Sequence, residues 1–339
     1  MATYAVTIAG VSKKLQPGWT IDAPLNGIGR LSASVLSVDG AYIPALDAEV
    51  LITEDGTRIF GGNISSAFTR GVAGQGIVAI ETDINADDFN DLANRRYYAG
   101  TLSGTLSSIL TTLIGQLDGV TLHPSQVTGP TLASTTFSYF KVRDVLDQLT
   151  QMTGGYVWKI DYLKQLRMFL PGTLTAPFTV TTANRNAISD VTSEPSREQY
   201  FNAVTVLGNG VTGIAFDSAH IAARGTWETV LQSPDSTTQA HVDALAAAYL
   251  ASSLPTPKTV TYQTDVVGLE PGQSQTITIA ERAVNNTCLI VDVQTRALSA
   301  NRVRRTVKAI EGSVYQSTWR DVVRSWGGGF SGETLPGAG

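Results

Sequence analysis

At 339 residues the chain exceeds the roughly 250 residues beyond which single cores rarely grow, so two or three modules are expected. Only 16% of it is charged and 32 residues are glycine, a balance that favours strands and turns over long solvated helices. Lys+Arg of 24 against Asp+Glu of 29 leaves a formal net charge of -5, which weighs against a DNA-binding role but not against a conduit that DNA passes through.

The N-terminus "MATYAVTIAG" has neither the basic nor the apolar region of an export signal, and no stretch approaches the roughly 18 apolar residues of a membrane span. "YAVTIAG" and "RLSASVLSV" alternate as strands. Residues 48–84 then read as three antiparallel strands, with Asp55-Gly56 as the first hairpin turn. Gly61-Gly62 inside the second strand suits a bend or bulge of the kind that closes a small barrel.

From Asp83 the pattern turns helical. Leu102, Leu106, Ile109, Leu110, Leu113 and Leu117 share one face, and a second helix carries Val142, Val145, Leu146, Leu149 and Met152 up to a left-handed cap at Gly154-Gly155. The next segment, "GGYVWKIDYLKQLRMFLPG", is a hairpin with Tyr156, Trp158 and Ile160 on one face and Leu166, Met168 and Leu170 on one face of the return strand. It offers the apolar sheet face that two amphipathic helices need.

"YFNAVTVLGNG" and "TWETVLQ" return to strands, and a helix over about 236–253 follows with Val242, Leu245, Ala246, Tyr249 and Leu250 on its stripe. Pro255 and Pro257 stop it. Beyond them the order of residues 46–84 recurs: "AEVLIT" matches "QTITIA", "RIFGGNISSAFTR" matches "NTCLIVDVQTRAL", and "IVAIETDI" matches "RTVKAIEG". That spacing means duplicated domains and not a solenoid. The closing "SWGGGFSGETLPGAG" has the composition of a mobile tail.

Chemical motifs are sparse. "GNGVTG" (208–213) spells a dinucleotide fingerprint, but "IAFDSAH" after it alternates like a strand, so a glycine hairpin is the better reading. Asp83, Asn85 and Asp87 have calcium-loop spacing, yet Asp88 stands where the loop needs glycine and Asn94 where it needs glutamate. Acidic residues ahead of a helix dipole account for the cluster.

His123, His220 and His241 lack paired zinc spacing, and no G-x-S-x-G elbow is present. The single cysteine, Cys288, sits in an apolar run as a buried small hydrophobe, which points to a reducing compartment. Paired carboxylates for glycoside cleavage would leave no local signature. Arg296, Arg302, Arg304, Arg305 and Lys308 form a basic patch around the last hairpin, read either as solvated surface or as a docking contact for an acidic subunit.

Taken in order, "LDAEVLITEDGTRIFGGNIS", "TTFSYFKVRDVLDQLTQMTGGYVWKIDYLKQLRMFLPG", "FNAVTVLGNG", "SPDSTTQAHVDALAAAYLASSL" and "LEPGQSQTITI" with "LIVDVQTRAL" and "RRTVKAIEG" resemble the baseplate or tail hub proteins of tailed bacteriophages, up to about Gly312. The resemblance implies a mainly β chain in which two related small β-barrels flank an inserted α+β domain. Its boundaries would be 1–85 for the first barrel, 86–190 for the insertion, 191–312 for the second barrel with its helix, and 313–339 for a tail. It further implies a structural homotrimer whose six barrels match a hexameric tail tube, at the tail tip of a virion assembled in the host cytoplasm. The partners so implied are a distal tail protein or tube hexamer, a tape measure protein, and a central fibre or spike, with genome DNA passing through unbound. Longer members carry peptidase, lysozyme or fibre extensions, none of which follows Gly339.

No catalytic, cofactor-binding or metal-binding residue is expected, and the chain is read as a non-enzyme. A carbohydrate-binding tail-tip module is the alternative, and a cell-wall hydrolase a further one. The aromatic hairpin is expected to pack the inserted module and to brace the outer wall of the hub.

Overall fold

The computed structural model describes residues 3–311 apart from 26, 38–42, 75–76, 154–155, 182–187, 196–199, 234–237, 255–257, 283 and 300–301. The Gly154-Gly155 cap, Pro255 and Pro257, and the sequence from Gly312 onward therefore lie outside the described residues. The chain is mainly β and divides into two compact units, the first within Met1–Thr192 and Val260–Val314, the second built on Ser193–Thr259.

The first unit opens with β1 (Tyr4–Ile8), β2 (Val11–Lys13), β3 (Thr20–Pro24), β4 (Arg30–Ser37), β5 (Glu49–Glu54), β6 (Thr57–Gly74) and β7 (Ile77–Asp88). An α+β module follows: a 3-10 turn (Phe89–Asn94), β8 (Tyr97–Thr105), α1 (Leu106–Ile114), β9 (Thr121–Leu122), β10 (Thr131–Lys141), α2 (Val142–Met152), β11 (Val157–Ile160) and β12 (Gln165–Phe169). Then come β13 (Leu174–Thr175), β14 (Val180–Thr181) and β15 (Ile188–Pro195). The second unit holds β16 (Ala203–Leu207), β17 (Thr212–Phe216), α3 (Ser218–Arg224), β18 (Glu228–Gln232) and α4 (Gln239–Ser253). The chain ends its described course with β19 (Lys258–Thr264), β20 (Gln273–Ile279), β21 (Val284–Ser299) and β22 (Arg302–Glu311).

Fourteen of the described strands form one sheet, ordered β15-β19-β22-β21-β3-β4-β7-β6-β5-β1-β2, with β20 also on β21 and with β13 and β14 on β20. The sheet is a repeat. Strands β1 to β7 correspond in chain order to β13 to β15 followed by β19 to β22, and the pairing order β3-β4-β7-β6-β5 recurs as β15-β19-β22-β21-β20. One difference stands out: β1 runs antiparallel to β5, whereas β13 and β14 run parallel to β20.

Register fixes the correspondence. Ile64 opposes Ala86 and Ser66 opposes Asn85, leaving Ser65 as an extra residue; Ile290 opposes Ala309 and Asp292 opposes Lys308, leaving Val291 as the extra one. The bulge sits at the same place in both copies, where it sharpens bend and twist. Just ahead of each short strand a residue with positive φ, Asp47 (60°) or Gly272 (93°), donates its N–H to the carbonyl of Ile64 (2.9 Å) or Ile290 (2.8 Å). The segments matched in sequence are thus the right ones in the wrong register: Ile64 takes the place of Ile290 and not Asp292, and Ile84 that of Val307 and not Gly312.

Each copy encloses its own core. Ile8, Ile21, Leu31, Val50, Ile52, Phe60 and Ile84 pack in the first, and Val260, Tyr262, Ile277, Cys288, Ile290 and Val307 in the second. Gly61 and Gly62 serve close approach rather than left-handed backbone. A Cβ on Gly62 would lie 2.1 Å from the Asp87 carbonyl oxygen, and one on Gly61 2.8 Å from the Phe89 ring. The bulges lie beside them, at Ile59 and Ser65.

In the α+β module the helical reading from Asp83 is corrected. β7 continues to Asp88 and β8 occupies residues 97–105, so Leu102 sits on a strand; α1 begins only where Thr105 accepts the Ser108 N–H at 3.3 Å. β8 pairs with β10, and α1 and α2 pack their stripes over these strands and over β11-β12-β9. Val142, Val145, Leu146 and Leu149 are buried, while Met152 and Leu170 are exposed.

The hairpin pairs Trp158 with Met168 and Ile160 with Leu166, as their shared face requires. Trp158 packs against the module core and donates its indole N–H to Asp147 Oδ1 at 2.6 Å. In the second unit α4 lays Val242, Ala246 and Tyr249 over Val204, Val206 and Leu231.

Trp158→Ala is expected to lower unfolding free energy by about 2 kcal/mol, less than full burial would give because the ring is half-exposed, measurable by urea denaturation of the whole chain.

Candidate assembly surface

The two copies are joined edge to edge inside one chain. Residues 20–24 of β3 lie antiparallel to residues 292–296 of β21, Thr20 opposite Arg296 and Pro24 opposite Asp292. Backbone bonds extend the seam at both ends: Leu25 donates to the Val291 carbonyl (2.8 Å) and Ala297 to the Trp19 carbonyl (2.9 Å). Under the seam Arg305 and Glu54, 3% and 4% exposed, form a buried ion pair, and the Tyr4 hydroxyl donates to the same carboxylate. Burial and the Glu54 charge push the Tyr4 phenol well above its ordinary pKa, so it stays a donor. Ala297 and Val303, from the tip of the β21-β22 hairpin, are buried in the core of the first copy.

The seam also holds a carboxyl pair. Burial, then the neighbouring Asp22 charge, pushes Asp292 up to about 6. A charge-repelled pair on adjacent strands is relieved when one member is protonated.

Among the described residues the corresponding edge of the first copy has no such cover. Val293, Thr295 and Ala297 of β21 are buried, but their counterparts Ala67, Thr69 and Gly71 on β6 are half-buried, exposed and exposed. β5 pairs with β6 only as far as Asn63, and among the described residues no strand lies along that side of β6 beyond it. Phe68, in the middle of this stretch, is 67% exposed. At the far end of the sheet β15 is likewise an edge strand.

The basic patch is corrected in part. Arg305 is interior, while Arg302 and Arg304 reach Asp265 at 3.5 and 3.3 Å, and Arg296 is exposed. The sequence carried a signal for the first of these. In "RVRRTVKAIE" Arg305 alternates in phase with Val303, Val307 and Ala309, and in "EVLITE" Glu54 is in phase with Val50 and Ile52, so both face a core.

The remaining motifs are structural. "GNGVTG" is the β16-β17 hairpin, in which Gly208 donates to the Val211 carbonyl at 2.8 Å. "IAF" completes β17, but Asp217 then caps α3, a short helix the alternation had read as strand. Asp83, Asn85 and Asp87 lie along β7, held by Ser34 (2.5 Å), Ser66 (2.9 Å) and Arg30 (3.5 Å), and among the described residues no His, Cys, Asp and Glu group could hold a metal. Only Asp88 caps the following turn, accepting from the Asn90 N–H at 3.0 Å and its side chain at 3.1 Å. Burial pushes Asp88 up to about 7, but both its oxygens are engaged and it is 4% exposed.

His123 has Ser125 Oγ 2.8 Å from Nδ1 and Asp161 3.7 Å from Nε2, a triad-like line. The Ser125 backbone N–H occupies the same Nδ1 lone pair at 3.0 Å, so the ring caps a turn rather than activating a hydroxyl. His220 meets the Tyr200 hydroxyl at 3.1 Å. Cys288 is buried, and burial pushes its thiol up to about 11, leaving it unreactive as a thiolate.

No family model and no curated protein matches this sequence. Among solved structures, the chain is similar to the 43 kDa tail protein of prophage MuSo2 from Shewanella oneidensis, at 12% identity and TM-score 0.75 over 92% of this chain and 97% of that one. It is also similar to a tail protein from Neisseria meningitidis MC58, at 16% identity and TM-score 0.69 over 94% and 98%. A third is the E. coli c3393 protein, a type VI secretion component described as structurally similar to the T4 bacteriophage tail proteins gp27 and gp5, at 12% identity and TM-score 0.55 over 91% and 76%. The chain therefore has the fold of phage tail proteins over most of its length.

Arg305→Met alone, which leaves Glu54 buried without its cation, is expected to cost about 3–5 kcal/mol in urea unfolding, and adding Glu54→Leu should recover most of the loss. Because the folded pKa of Asp292 is raised, its contribution favours folding at low pH and is lost as pH rises through about 6. Asp292→Asn should accordingly raise the thermal midpoint relative to the parent at pH 8 and lose that advantage at pH 4.

Proposed function

We propose that this chain is a structural protein of a phage tail, a hub at the tail tip that assembles as a trimeric ring and adapts a sixfold tube to a threefold tip. The observation that carries the reading is the duplication: two seven-strand copies with the same bulge and the same positive-φ donor within one polypeptide. A threefold ring offers six similar edges only if every chain carries the edge twice. The shared fold with prophage tail proteins and a gp27-like secretion component supports it. In this reading the distal tail protein or tube hexamer docks on one side, the fibre or spike on the other, and the tape measure protein and then the genome occupy the channel. No residue is assigned a catalytic role.

Exposed aromatics favour a second reading, carbohydrate binding. The aromatics concerned are Tyr139, 80% exposed and held at φ 58° in an irregularity of β10, and Tyr97 on the paired strand β8, 57% exposed. Stacking platforms for sugars have this composition. Binding on a glycan array that is lost in Tyr139→Ala would support it.

Native mass measurement and electron microscopy of the chain, alone and mixed with its tube-end neighbour, test the hub. A species of three times the chain mass that caps tubes is expected. A chain that stays monomeric and leaves tube ends bare contradicts it.

A further inference from the structure

We infer that the apolar outer face of the β16-β17-β18 sheet is covered by the chain's own C-terminal segment, residues 314–326, folded as an amphipathic helix. The inference is independent of the hub reading.

The face is defined by register. β17, β16 and β18 lie side by side, with Ile214 opposite Thr205 and Thr205 opposite Val230, and with Phe216 opposite Ala203. The alternate residues Val204, Val206 and Leu231 point the other way, into the core under α4. Gly213 also faces that helix, since a Cβ there would lie 2.4 Å from the Val242 carbonyl carbon. A sheet face left to water ordinarily carries polar side chains. Here Ile214, Phe216 and Val230 stand on it, 65%, 64% and 60% exposed, so among the described residues nothing covers them.

The occupant is written in the chain beyond β22. "GSVYQSTWRDVVRSWG" (312–327) places Tyr315, Trp319, Val322, Val323 and Trp326 at i, i+4, i+7, i+8 and i+11, one stripe of a helix. Ser313 and Gln316 have the spacing of a capping box, and Gly327 stands where a helix ends. An isolated helix shorter than about 12–15 residues is marginal in water, so this one needs an apolar surface to lie on. Its flank carries Arg320 and Arg324, while Glu228 is the charged residue on the outer face of the sheet.

The segment also starts in the right place. Arg302 and Arg304 reach Asp265, and Arg304 reaches Gln263 at 3.4 Å, so β22 begins beside the end of β19 and finishes beside its start. Gly312 therefore leaves the large sheet next to Lys258, five residues beyond Ser253 at the end of α4. Five residues span at most about 18 Å. The Ser253 hydroxyl in turn donates to the Phe201 carbonyl at 2.9 Å, just ahead of β16, at the end of the small sheet that carries Phe216 and Glu228.

Hydrogen exchange and cross-linking of the full chain test the inference. In the parent, amides of 314–326 should exchange about tenfold or more slower than in an unstructured peptide of the same sequence. Ile214→Asp, at an exposed position, should abolish that protection while α4 and the strands of the first unit keep theirs. In a Cys288→Ala background, Ile214→Cys is combined in turn with Trp319→Cys, Val322→Cys or Val323→Cys, and with Arg324→Cys on the opposite side of the helix as control. Oxidation should link one of the first three pairs within a single chain, and more fully than the control. Unprotected amides in the parent, or protection that survives Ile214→Asp, overturn the inference. Links that join two chains also overturn it, because the face then belongs to a second copy, and the absence of any link above the control leaves it to a different partner. Should Ile214→Asp unfold α4 as well, the cross-linking alone decides.

Discussion

The seam between β3 and β21, closed beneath by Arg305 and Glu54, is the constraint on which the first unit depends. It turns two small sheets, each with its own core, into one sheet of fourteen described strands. A backbone ladder alone specifies little, because any edge can pair with any other. The buried ion pair adds what the ladder lacks. Arg305 belongs to one copy and Glu54 to the other, so only one juxtaposition satisfies both charges out of water. Its net stabilisation is small against its desolvation, and its value lies in fixing which edge meets which.

Around that seam the duplication has diverged where packing allows and persisted where backbone geometry does not. The bulge at Ser65 and Val291 remains, as does the positive-φ donor, although one copy uses Asp47 and the other Gly272. A bulge sets strand bend, and shifting it by one residue would reverse every inward side chain beyond it. Insertions have entered at points that leave the strand order intact: the α+β module after β7, and the second unit between β15 and β19.

Much of the candidate site was visible as pattern but not as partnership. The inward phase of Arg305 and Glu54 was legible in their strands, yet nothing in either segment says that the two meet across 251 positions. Read as a patch, five basic residues suggested surface, because composition does not distinguish the faces of a strand. The helix expected from residue 102 began later because glycines at 100 and 104, both at positive φ, keep β8 extended, and period counting over leucines does not see backbone handedness. The α+β hairpin was read correctly because its turn, held by the Asp161 carboxylate accepting from Leu163 and Gln165, is local.

The sequence by itself determined the mainly β character, the alternating faces, the helical stripes of α2 and α4 and the order of the repeated strands, since each is written in contacts between near neighbours. Register and pairing were decided only by the tertiary structure. Alternation with period two scores a strand equally well when it is slid by two residues, so Ile64 could be set beside Asp292 until the bulges placed it with Ile290. Which edge β3 covers likewise depends on strands more than two hundred residues apart, joined by backbone groups that every residue possesses alike.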